Sequence, residues 1–276
     1  MTARVMSNRI WQHHFGRGIV RSSNNFGFLG EEPTHPELLN WLASELISGG
    51  WKLKRIHKLI MMSKTYQMDS KGNEPALAKD PNNDYFWRYD MRRLSAEEIR
   101  DSILNLSGKL NLKMGGPSIY TEVPREVLAT SSRPGGAWGN SSEEDRNRRS
   151  VYIYVKRSLH EPFLSAFDWA DTDNTCDVRF VTTVPTQTLT LLNSKFLNDS
   201  AETLAKYVEN KAPNDIRAQV SHALYNATNR KPSEVDIQDG LDLIKDLKEK
   251  SKATKEQAMQ RFCLLVLNLN EFLYLD

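Results

Sequence analysis

Apolar residues recur at helical spacing along most of this chain. Val5, Met6, Ile10, Trp11 and Phe15 mark a first helix over residues 2–15, ended by Gly16 and Gly18. Thr34 and Glu37 read as a capping box with Pro36 in the first turn. Behind them Leu38, Leu39, Leu42, Leu46 and Ile47 form one apolar face, stopped by Gly49-Gly50. Leu53, Ile56 and Ile60 predict a further helix, which closes a helical hairpin. Ser95 with Glu98 is a second capping box, ahead of Ile99, Ile103, Leu106 and Leu110. Pro185 opens a long predicted helix through Leu189, Leu192, Phe196 and Leu204. Ile216, Val220 and Leu224 mark the next one, and Ser233 caps a charged helix through Ile237, Leu241, Ile244 and Leu247. Ala258 to Leu269 is apolar nearly all round, which predicts a buried helix.

Two stretches break this pattern. Residues 113–149, with Gly115-Gly116-Pro117 and Pro134-Gly135-Gly136, predict a long irregular insertion. Val151, Ile153 and Val155 alternate with Tyr152, Tyr154 and Lys156, so a strand is expected around 151–156, with Ile119 to Val123 as its candidate partner. The expected fold is therefore mainly α: a multi-helix domain with one small β element and one long insertion. It reads as a single domain over 1–276, divisible into an N-terminal helical part (1–112), a loop and strand part (113–160) and a C-terminal helical part (161–276).

Composition narrows the function classes. The 37 basic and 35 acidic residues leave a net charge of +2, so no strong field points to nucleic acid or to a membrane surface. The longest apolar run, Leu264 to Leu267, predicts no transmembrane segment. Cys176 and Cys263 form no CxxC pair and no disulfide framework. Without a CxxCH string the chain is expected to attach no haem, and the polar start after Met1 does not read as an export signal.

Candidate chemistry sits in two segments. The first holds Arg9, His13 and His14, with His35 at the next helix start. Adjacent helical residues point about 100° apart, so His13 and His14 do not readily share one metal; the plain alternative is packing beside Trp11 and Phe15. The second is the acidic run Asp168 to Asp177 and the residues after it. Asp168, Asp171 and Asp173, with His13, His14 or His35, are candidate acid–base groups for a hydrolytic enzyme acting on polysaccharide or its fragments. Asp171, Asp173 and Thr175 copy the alternate ligands of a calcium loop, but Cys176 stands where a glycine belongs and Thr182 where a glutamate belongs. The plain alternative is an Asx-rich turn. Arg179 and Gln187 lie around the helix start at Pro185 and are candidate anion-binding residues; an Arg179 ion pair with Asp168 or Asp171 is the structural alternative. Trp138, among glycines, is a candidate sugar-stacking residue unless its loop folds back over it. Arg9, His13, His14, Asp168, Asp171 and Arg179 are expected to pack as one cluster, because buried charges must be paired.

The strings ARVMSNRIWQHHFGRGIV, PTHPELLNWLA, RRLSAEEIRDSILNLSG, GGPS, RRSVYIYVKRS, FDWADTDNTCDVRFVTTVPTQTLTLLNS and LNLNEFLYLD, in this order, span nearly the whole chain. Together they resemble a planctomycete-specific C-terminal domain of unknown function. In that family the domain follows cytochrome c and cytochrome-associated domains in large exported proteins. The resemblance implies an accessory or interaction domain, an extracytoplasmic location, upstream cytochrome-type domains as partners, and haem only in those upstream domains. The chain then corresponds to an isolated domain or a piece of a longer protein. Beside this leading reading stand the hydrolytic enzyme and a calcium-stabilised carbohydrate-binding module.

Overall fold

A computed structural model describes residues 1–129, 136 and 138–276; residues 130–135 and 137 of the expected insertion lie outside the described residues. The fold is mainly α, with helices taking up 53% of the described residues. One two-stranded sheet is described, β1 (Arg92–Arg93) with β2 (Tyr274–Leu275). The chain forms two compact units, Met1–Arg92 with Asp276, and Arg93–Leu275.

The first unit is built on α1 (Thr2–Phe15), α2 (Pro36–Ser48) and α3 (Leu53–Met61), which pack against one another. Their buried faces are Ile10, Trp11 and Phe15, then Leu39, Leu42 and Leu46, then Ile56 and Ile60, as the helical spacing predicts. The turn after α1 is pinned by Asn8. Its side chain donates to the Val20 carbonyl at 2.9 Å and accepts the Val20 N–H at 2.8 Å, so a fully buried amide is satisfied on both ends. Gly18 is required there, because a Cβ would stand 2.5 Å from the Asn8 side chain. Two local readings change. The N-cap of α2 is His35 rather than Thr34, whose N–H donates instead to the Ile19 carbonyl at 3.0 Å. The 70–84 loop contains a short helix, α4 (Glu74–Lys79), capped by Asn73.

The second unit holds α5 (Ala96–Leu106), α6 (Arg125–Ala129), α7 (Glu143–Arg146), α8 (Pro162–Ala166), α9 (Pro185–Asn193), α10 (Lys195–Lys211), α11 (Ile216–Thr228), α12 (Glu234–Lys250), α13 (Lys255–Val266) and α14 (Asn270–Leu273). Its core is the α10–α13 bundle, with Leu197, Leu204, Val208, Val220, Ile244, Phe262 and Val266 inside. The Ser95–Glu98 capping box of α5 forms as expected. The long helix predicted from Pro185 is two helices: Ser194 breaks it and caps α10 by accepting the Leu197 N–H. The helix expected to be buried all round, α13, buries one face only, since Leu265 is exposed.

The β element around 151–156 is smaller than its alternation suggests. Ser150–Tyr152 is a 3-10 turn, followed by a single parallel bridge between Ile153 and Ile119, the expected partner segment. Only Ile153 turns inward, whereas Val151 and Val155 are exposed. The insertion before it is irregular but anchored. Arg148 is fully buried and donates to the Lys113, Gly115 and Pro117 carbonyls, while Tyr152 lies 4.0 Å from its guanidinium. Carbonyl dipoles and an aromatic face thus replace a counter-ion.

Candidate functional site

In the first unit His14 meets a residue outside the motif-rich segment. Its Nε2 lies 2.9 Å from Nδ1 of His57, so one ring donates and the other accepts. Tyr66 packs edge-on against His14, and the Tyr89 hydroxyl donates to the His14 carbonyl at 3.0 Å. Burial pushes the His14 pKa down, and the charges of His57, Arg92 and His13 add to that. His13 itself is exposed. Arg9 donates to Asn24 at 3.1 Å, and His35 lies beside the Tyr85 and Phe86 rings.

The other candidates belong to the second unit, and there Asp168 is the organising group. Arg93, almost completely buried, donates to Asp168 Oδ2 at 2.5 Å and sits over the Phe167 ring. Asp168 also accepts from the Thr182 N–H and hydroxyl, both at 2.8 Å, and from Gln187 Nε2 at 3.3 Å. It takes a left-handed backbone, φ 61°, to reach them all. Asp168 and Gln187, both singled out from the sequence, are therefore partners. The expected Arg179 pair with Asp168 or Asp171 is replaced. Arg179 forms a bidentate pair with Glu97, at 2.6 and 3.0 Å, and this hydrogen-bonded pairing holds its guanidinium pKa up.

The acidic run folds as a turn. Asp171 accepts the Asp173 N–H at 2.9 Å and the Asn174 amide at 2.8 Å, which holds its carboxyl below the usual range. Asp173 pairs with Arg157 at 3.5 Å, and Thr175 is exposed. Among the described residues, no three His, Cys, Asp or Glu side chains come together in a group that could hold a metal ion. Trp138 folds back: its Nε1 donates to the Thr121 carbonyl at 2.9 Å and its ring packs on Tyr120 and Tyr154.

The second unit also contains an open cavity of about 730 Å³ that the motifs do not mark. Glu161 and Arg100 lie in its wall, both deeply buried. Arg100 donates to the Arg146 and Arg148 carbonyls and to the Ser150 hydroxyl, at 2.6 to 3.2 Å. Glu161 caps α8 by accepting the Leu164 N–H at 2.7 Å, and burial pushes its carboxyl pKa up. Arg100 carried a readable sign: it falls on the buried stripe of α5, between Ile99 and Ile103. Arg93 and His57 acquire their roles from residues far away in sequence, and Glu161, although it caps α8 locally, joins the cavity wall only through distant Arg100 and Thr121.

Fold and site together define a helical protein whose conspicuous polar residues largely bind one another. Over residues 1–244 the chain matches the family described as "PSD1: Protein of unknown function (DUF1553)", and it belongs to that family. No curated protein and no solved structure gives a match.

Proposed function

We propose that this chain is an accessory interaction domain of a larger extracytoplasmic protein of planctomycete type, and that it docks on a cytochrome-type domain of that protein. The observation that carries the reading is the run of exposed apolar side chains in residues 178–192. Polar contacts fix the segment: Thr182 and the buried Gln187 hold Asp168, and Arg179 holds Glu97. The segment's apolar side chains other than Leu191 turn outward. Phe180 is 87% exposed, Val181 63% and Leu189 56%, with Val178, Val184 and Leu192 also exposed. Large apolar side chains left exposed together in one short segment are the kind of surface that marks interaction sites. The polar clamps hold the segment in place, so little ordering entropy remains to be lost on binding.

The choice of partner, the extracytoplasmic location and the planctomycete setting come from the family resemblance. The hydrolytic alternative draws less support, because the Asp168 and Asp171 carboxylates accept hydrogen bonds from their own loops. We read the Asp171–Asn174 turn as structural, with calcium as an outcome that a titration would reveal. The test is calorimetric binding of a separately produced cytochrome-type domain from a full-length relative to wild type and to a Phe180→Ser/Val181→Ser variant. The reading expects binding that weakens at least about tenfold, about 1.4 kcal/mol, in the variant. Equal affinity for both proteins would contradict it.

A further inference from the structure

The cavity in the second unit has the size of a small-molecule site, about 730 Å³. Its walls come from α5, from the segment around Thr121 to Arg125, from α7, and from the starts of α8 and α10. Two kinds of unmet chemistry face it. The first is neutral and hydroxyl-like. Thr121 is 8% exposed, and its hydroxyl leans toward the Glu161 carboxyl without closing a hydrogen bond. Glu161 is held by backbone N–H groups and faces the charge of Arg100; burial, the larger effect, pushes its carboxyl pKa up, while those N–H groups and Arg100 pull it down. A protonated carboxyl and a hydroxyl can each donate and accept, which suits ligand hydroxyls.

The second kind is cationic. Five cationic side chains line the cavity against four carboxylates, before any protonation of Glu161. Lys195 is compensated by Glu122 and Asp199, and Arg100 is saturated by carbonyls and Ser150. Lys109 and Arg125 have no ion pair among the described residues; Arg146 shares Glu122 with Lys195 through Nη1 at 3.7 Å, but its Nε–H is buried without a partner. A buried donor without a partner is costly to leave unmet, which favours a ligand that satisfies it.

We propose that this cavity binds a small polyhydroxylated acid, a sugar acid, with hydroxyls against Thr121 and Glu161 and its carboxylate toward Lys109, Arg125 and Arg146. A bare anion leaves the Thr121 hydroxyl unmet, and a neutral sugar leaves the cations unmet. An amine meets the wrong sign of charge at Lys109 and Arg125. The cavity borders α9 at Thr190 and Asn193, but none of the exposed apolar side chains proposed for docking lines it, so either proposal can fail alone.

The experiment is isothermal titration of the protein with D-glucuronate, set beside D-glucose, inorganic phosphate and putrescine. Glucuronate is expected to bind with a Kd in the millimolar range or tighter, and to bind at least about fivefold more strongly than each of the other three. Thr121→Val removes the hydroxyl at constant shape and is expected to weaken glucuronate about threefold or more, with an unchanged melting temperature. Lys109→Gln/Arg125→Gln is expected to weaken it at least about fivefold and to flatten its salt dependence. Chemical-shift changes at Thr121 and Glu161 on adding glucuronate supply a readout that does not depend on any variant folding. No heat and no shift change at about 50 mM glucuronate would overturn the proposal. So would equal binding of glucose, phosphate or putrescine, or glucuronate affinity unchanged in both variants.

Discussion

Arg93 and Asp168, 75 residues apart in sequence, form a buried pair: Nη2 lies 2.5 Å from Oδ2, with the arginine side chain only 3% exposed. Asp168 passes that fixed position on to Thr182 and Gln187, and so holds the start of the exposed apolar segment. Asp168→Ala leaves Arg93 buried without its anion, and the expected loss of stability is about 3 kcal/mol. Asp168→Asn keeps an acceptor for the Thr182 N–H and tolerates the left-handed backbone, so it is expected to cost less. Denaturant unfolding of both variants checks this, and an Asp168→Ala loss below about 1 kcal/mol would contradict it.

The His14–His57 pair sets a pH dependence. Burial, and then the charge of His57, lower the His14 pKa in the folded protein. The unfolded histidine titrates near about 6.5, so on acidification the unfolded state takes up the proton first. The contribution is therefore fully present above about pH 6.5 and is lost as the pH falls from there toward the lowered folded value. Unfolding free energies measured between about pH 7.5 and about pH 5.5 are expected to fall more for wild type than for His14→Gln. Parallel profiles would count against the pair.

The two cysteines are free, Cys176 exposed and Cys263 buried, with burial pushing the Cys263 thiol up to about 12. Cys176 is expected to react with a disulfide reagent in the native protein, and Cys263 only after unfolding. Rapid labelling of Cys263 in the native protein would show that α13 is not packed as described.

Helix capping and periodicity were legible because both act within a few residues. The Ser95–Glu98 box and the buried faces of α1 and α2 are local facts. The Val151 to Val155 alternation misled because a strand is fixed by its partner, and Ile119 offers a single bridge. Charge patterning also misled. Arg148 stands among Glu143, Glu144, Asp145, Arg146 and Arg149, a pattern typical of a solvated loop, yet three carbonyls and a tyrosine ring take it into the interior. In the site, Asp168 and Gln187 were recognisable as unusual residues, but Arg93 and Glu97, which give Asp168 and Arg179 their roles, lie 75 and 82 residues away. No local pattern carries such pairings.

The central claim is that the outward apolar side chains of residues 178–192 are a docking surface. Hydroxyl-radical footprinting read by mass spectrometry tests it most directly, with and without a cytochrome-type domain from a full-length relative. The account predicts that oxidation of Phe180, 87% exposed in this chain, falls sharply when that domain is added, while exposed Tyr225 on α11 stays as reactive as before. Unchanged oxidation of Phe180 in a complex that protects other residues would contradict it.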